Sequence, residues 1–171
     1  MTANKIKVLP QILTQSLFKL VLDENEIATS ELKTNQGLRI LSMNKNKMVD
    51  LNGFTRLFNL EEFSIQENEI ITLEGLSNLP KLTKLMLNGN KLEKLDHLPV
   101  LECIEEIFLD GNQIASLAEI SKLKILKTLT HISMGGNPIT EEKGEEFKKE
   151  VLILLYDELP NLKKINGEAF S

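Results

Sequence analysis

The chain has 171 residues, 42% of them apolar, which is enough for one domain or one short repeat array and too much for a disordered chain. Only 5% are aromatic and tryptophan is absent, so the core must be built from Leu and Ile. The net charge of −5 excludes a surface that grips a nucleic-acid backbone along its length, and it suits a basic partner.

Cys103 is the single cysteine, which excludes a cystine-stapled fold. The N-terminal apolar run is broken by lysines, unlike a signal peptide, and no stretch approaches the roughly 20 apolar residues of a membrane span. A location in the cytosol or nucleus is expected.

Residues 1–16 hold Ile6, Val8, Leu9, Ile12 and Leu13. They are expected to cap the first unit of a repeat array, partly as helix, with Pro10 limiting its length. From residue 17 to 139 the pattern Leu-x-x-Leu-x-Leu-x-x-Asn-x-Leu recurs six times. The copies run from Leu17-Leu20-Leu22-Asn25-Ile27 to Leu129-Ile132-Met134-Asn137-Ile139. Their asparagines are separated by 21, 22, 22, 22 and 25 residues. The Leu-x-Leu pair has period two, so each unit predicts a short strand with one face buried. One unit is too small to bury that face alone, and stacking creates a continuous parallel sheet. Each Asn falls where the chain leaves the strand, placed to bond backbone groups that the turn buries.

The return segments repeat every three residues, as in Leu92-Leu95-Leu98-Leu101 and Ile114-Leu117-Ile120-Leu123-Leu126-Leu129. Period three predicts 3₁₀-like turns on the convex side and one extra turn before the last strand. Residues 140–171 predict a second cap, with Thr140 as helix N-cap and Phe147, Val151 and Leu155 on one face. Lys148 and Lys149 are expected to point to water.

This repeat resembles the leucine-rich repeat superfamily in its 22-residue class. The resemblance implies an α/β solenoid: a horseshoe with six parallel strands on the concave face, a 3₁₀-rich convex side and two caps. The closing Asn137-Pro138, Phe147, Val151, Leu159-Pro160 and Ile165-Asn166-Gly167 resemble the C-terminal cap of one group. That group holds the acidic leucine-rich nuclear phosphoprotein 32 family, the spliceosomal A-prime protein, phosphatase-1 regulatory repeats and an axonemal dynein light chain. Lys19-Leu20-Val21-Leu22-Asp23 is similar to the opening strand of the acidic phosphoproteins. Membership would imply binding of a protein such as a phosphatase or histone, in nucleus or cytoplasm. An A-prime-like subunit that clasps an RNA-binding protein is the alternative. The long acidic tail of the phosphoproteins has no counterpart before Ser171, and the run Leu152–Glu158 before the closing Leu-Pro makes the capping helix longer than theirs.

The register predicts three columns on the concave face. The first reads Lys19, Ile40, Glu62, Lys84, Glu106, His131. The second reads Val21, Ser42, Ser64, Met86, Phe108, Ser133, and the third Asp23, Asn44, Gln66, Asn88, Asp110, Gly135. Met86 and Phe108 should be neighbours, an apolar pair rimmed by carboxylates. Ile40, Glu62, Lys84, Met86, Glu106, Phe108, Asp110 and His131 are the candidate protein-binding residues. The strand positions carry more carboxylates than amines, which favours a basic partner.

Catalytic constellations are missing. His97 and His131 lie in different units, and neither has a Cys or Asp at metal-ligand spacing. Cys103 reads as a small core residue, and Gly135-Gly136 as a repeat turn. Neither a phosphate-binding glycine loop nor a zinc-binding helix motif occurs. The chain is expected to be a monomeric, non-enzymatic scaffold without cofactor or metal and without direct contact to nucleic acid or membrane.

Overall fold

The computed structural model describes residues 6–8, 16–29, 32, 36–54, 57–76 and 79–169. Six three-residue strands succeed one another in chain order: β1 Lys19–Val21, β2 Ile40–Ser42, β3 Glu62–Ser64, β4 Lys84–Met86, β5 Glu106–Phe108 and β6 His131–Ser133. Each pairs in parallel with the next, and equivalent repeat positions face one another throughout. The middle residues Leu41, Phe63, Leu85, Ile107 and Ile132 point inward and are fully buried. They join the return-segment leucines in one continuous core.

The repeat asparagines tie this core together. The Oδ1 atoms of Asn46, Asn68, Asn90, Asn112 and Asn137 accept the backbone N–H of Ile27, Met48, Ile70, Leu92 and Ile114 at 3.0–3.1 Å. Each Nδ2 donates to a carbonyl of the preceding repeat at 2.9–3.0 Å. Each also donates to a carbonyl of its own repeat at 2.8–3.3 Å. An Asn amide has the donors and acceptor to do this for backbone that water does not reach. Asn25 extends the series to Ile6, whose N–H it accepts at 2.9 Å. Ile6 thus occupies the position held by Ile27 in the next unit, while Leu9, Pro10, Ile12 and Leu13 lie outside the described residues.

One residue before each Asn, the backbone takes positive φ: Glu24 at 59°, Lys45 at 54°, Glu67 at 51°, Gly89 at 68°, Gly111 at 64° and Gly136 at 67°. This left-handed turn aims the N–H of five of them at a carbonyl of the next repeat. Glycine adopts it without strain, whereas a side chain there costs about 1–2 kcal/mol.

The convex side follows the three-residue period as isolated i to i+3 turns, such as Leu76 N–H to Leu73 O and Leu98 N–H to Leu95 O. The longer last interval folds as helix α1, Leu117–Ser121, running into a 3₁₀ turn at Lys122–Ile125.

The structure differs in four respects from the sequence reading. First, helix α2 spans Pro138–Lys143, and Asn137 is its N-cap. Thr140 sits at the third helical position, where its Oγ1 accepts the Asn137 N–H at 2.9 Å. Helix α3, Glu146–Leu155, buries Phe147, Val151 and Leu155 as its period requires. Second, the sheet does not end at six strands: β7, Lys164–Ile165, pairs in parallel with β6, and β8, Glu168–Ala169, turns back antiparallel. Third, Lys148 does not point freely to water, because its Nζ lies 2.8 Å from a Glu168 carboxylate oxygen and ties α3 to β8. Finally, Cys103 is exposed rather than part of the core, since it precedes the strand where the chain still runs over the surface.

Candidate functional site

The concave face carries the columns that the register requires. Met86 and Phe108 pair across β4 and β5. Both side chains are half-buried. The Lys84 Nζ stands 5.1 Å from the Phe108 ring centre. The same amine forms an ion pair with Glu106 at 2.7 Å. On the other side the His131 ring lies 6.0 Å from Phe108. Phe108 is therefore held between an ammonium and an imidazole, a setting that steers its ring through cation–π attraction. Burial first, and then the charge of Lys164 on the adjacent strand, push the His131 pKa below its ordinary value. The imidazole is thus neutral at pH 7.

The other candidates are more scattered. Ile40 is half-buried between Lys19 and Glu62 at the same register position. Glu62 faces Lys84 across β3 and β4, but the Lys84 amine bonds to Glu106. Arg39 and Glu61 pair at 2.7 Å, and Lys45 and Glu24 at 3.0 Å. Amines thus match Glu24, Glu61 and Glu106, while Glu62, Glu67 and Glu105 have no ion pair among the described residues. Asp110 is committed to structure: its Oδ1 accepts the Ser133 hydroxyl at 2.6 Å and the Gly135 N–H at 2.7 Å.

Asp110 belongs to a second ladder, at positions that the repeat register alone marks as plainly exposed. Asp23 Oδ1 accepts the Ser42 hydroxyl and the Asn44 N–H, both at 2.7 Å. Asn44 Oδ1 accepts the Ser64 hydroxyl at 2.7 Å and the Gln66 N–H at 2.8 Å. Ser64, expected on the exposed column, is buried beneath these contacts. Asn88 Oδ1 accepts the Asp110 N–H at 2.9 Å but receives no hydroxyl, because position 108 is Phe. The signal is present in the sequence as the spacing Ser-x-Asn/Gln in units two and three. Met86 and Phe108 are the two positions among β2 to β6 where the hydroxyl rung is replaced by a large apolar side chain.

Among the described residues, no group of three or more His, Cys, Asp or Glu side chains can hold a metal ion. No helix among them is long and apolar enough to cross a membrane.

No curated protein sequence matches the chain. Among solved structures, a chain of the Drosophila melanogaster SNF/U2A' complex is similar, with a TM-score of 0.58 at 21% identity over 71% of this chain and 73% of its own. An internalin (inlF) of Listeria monocytogenes is similar with a TM-score of 0.65 at 20% identity, over 91% of this chain and 49% of its own. The chain thus spans about half the length of that internalin. At these identities the two likenesses show the repeat architecture alone. The leucine-rich repeat family profile matches residues 58–166, well over half of the sequence. With that match and six stacked Asn-tied units, the chain belongs to the leucine-rich repeat family.

Proposed function

We propose that the chain is a protein-binding regulator of the nucleus or cytoplasm that takes a basic partner, such as a histone or a phosphatase surface, on its concave face. Met86 and Phe108 form the apolar centre of the contact, Glu62 and Glu106 its acidic rim, and Ile40, Lys84 and His131 its flanks. One observation supports this above the rest. Ser at position 86 or 108 would complete the polar ladder, as Ser42, Ser64 and Ser133 do, yet both positions carry half-buried apolar side chains on the concave face. Apolar surface kept where a hydroxyl would stabilise the fold marks a contact site.

The test is a binding experiment with the double variant Met86→Ser/Phe108→Ser. The variant regains two ladder rungs, so it should fold and melt like the parent. Capture of the partner should fall by about 10-fold or more, the range of a hot-spot loss. Equal capture by parent and variant would refute the concave-face site. An A-prime-like clasp on an RNA-binding protein is the second reading, favoured by the likeness to the SNF/U2A' complex, itself a protein–protein assembly. The two readings part on which bait, a basic nuclear protein or an RNA-binding domain, the parent chain retains.

A further inference from the structure

Helix α3 is apolar over more of its circumference than its capping role uses. Phe147, Val151 and Leu155 face the core, but Ile153 is 71% exposed and Tyr156, at the helix end, 69% exposed. The outward side thus exposes an adjacent Ile–Tyr pair on an otherwise charged face. At 100° per residue, Glu146, Lys149, Ile153 and the C-cap Tyr156 share the outward face, and Asp157 follows in the turn just beyond the helix. The exposed face lies on the last helix of the array, separate from the concave sheet.

Two charges flanking Ile153, Lys149 and Asp157, are self-complementary, with Glu146 one turn farther from the centre. Lys149 lies four residues before Ile153 and Asp157 four residues after it. Neither has an ion pair among the described residues. Two copies of α3 packed antiparallel about Ile153 would set each Lys149 against the Asp157 of the other copy, twice by symmetry. The same two-fold puts Ile153 on Ile153 and flanks it with both Tyr156 rings. A closed, isologous contact of this kind needs one patch that fits itself. We infer that the outward face of α3 is a self-association surface, and that the occupant it fits is the α3 helix of a second copy of this chain.

The contact is small, one helix per copy, so it falls below the roughly 1,200 Å² of a standard interface and should be weak, with Kd on the order of 100 μM. The chain is then monomeric at micromolar concentration and pairs when concentrated or held on a common partner.

Sedimentation equilibrium of the full chain from about 10 μM to about 1 mM brackets that constant. The weight-average mass should rise from 19.3 kDa toward twice that value. Ile153→Glu, at an exposed position, should keep the parent melting temperature and stay monomeric throughout. Lys149→Asp should also stay monomeric, and Lys149→Asp/Asp157→Lys should dimerise again. Phe108→Ser should associate like the parent. A mass fixed at 19.3 kDa across the range overturns the inference. So does a dimer that persists in Ile153→Glu, a charge-swapped variant that fails to pair, or a dimer lost in Phe108→Ser, which would move the contact to the concave face.

Discussion

Replacing Asn112 by Ala isolates what one rung of the asparagine ladder contributes. Asn112 is fully buried, so water cannot take its place. Its Oδ1 is the partner of the Leu92 N–H at 3.1 Å. Its Nδ2 donates to Leu87 O at 3.0 Å and Leu109 O at 2.9 Å. A longer contact to Asp110 O at 3.4 Å costs little, because that carbonyl also accepts the Gly89 N–H, and the other three losses are unequal. Leu87 O keeps a donor in Asn90, and Leu109 O keeps one in Asn137. The Leu92 N–H keeps none among the described residues. One orphaned amide costs about 1–3 kcal/mol, and each weakened carbonyl adds a fraction of a hydrogen bond. The sum is about 2–4 kcal/mol, or a melting temperature lower by roughly 5–15 °C for a chain of this length. Asn25→Ala provides the control. Asn25 is only partly buried at the start of the array, and its Ile6 partner sits where water can substitute. It should lose less than about 1 kcal/mol. Urea unfolding of both variants, followed by circular dichroism, measures the difference. If Asn112→Ala and Asn25→Ala lose equal stability, the ladder is not what holds adjacent repeats together.

Glu67→Gly should stabilise the chain by about 0.5–1 kcal/mol, because it relieves a left-handed side chain whose strain exceeds the flexibility cost of glycine; Gly111→Ala should do the reverse, and thermal melts of both give the signs. His131 has a folded pKa below its unfolded value, so the unfolded chain binds the proton more readily. Its contribution is therefore whole above about pH 6.5, is lost as pH falls through that value and levels off below the folded pKa; the difference between urea midpoints at pH 7.5 and pH 5.5 should be smaller in His131→Gln than in the parent. Asp96, Glu69, Glu158 and Glu168, held below the usual carboxylate range by hydrogen bonds to lysines, lose their contributions only at lower pH, outside that window. Lys148→Ala should speed amide exchange at Glu168 and Ala169 more than at β6, because the amine holds β8 against α3; unchanged exchange would mean that the hairpin stands by itself.

Whatever repeats is legible in the sequence. Strand positions, inward leucines, the asparagine rungs and the Met86–Phe108 pairing all come from a register that six copies report. The helix N-cap lies three residues earlier than its local signature suggests, because Asn137 serves both as ladder rung and as cap while Thr140 carries a cap-like pattern of its own. The seventh and eighth strands are not legible, since two-residue strands have no period of their own and exist only because β6 offers an open edge. The commitment of Asp110 is hidden for a related reason. A carboxylate reads as solvated charge until a neighbouring repeat brings a hydroxyl and an amide to it. Residue type places Cys103 inside, yet the backbone before each strand passes over the surface.

The two ladders run in opposite directions. Each buried asparagine reaches back to backbone already laid down, whereas Asp23, Asn44, Asn88 and Asp110 reach forward to backbone still to come. On the ribosome this has a timing. At about 5–20 residues per second, a unit of 22 residues takes roughly 1–4 s to emerge. For that interval the newest repeat holds an amide that only the next asparagine can satisfy, and a forward carboxylate or amide oxygen with nothing to accept. The array therefore grows with one unfinished joint that travels along it. After β6, Asn166 Oδ1 accepts the Met134 N–H at 2.8 Å, an amide that the next strand's carbonyl satisfies in the earlier units. A stall anywhere between β2 and β6 would leave the travelling joint open to chaperones, to proteases or to another nascent copy.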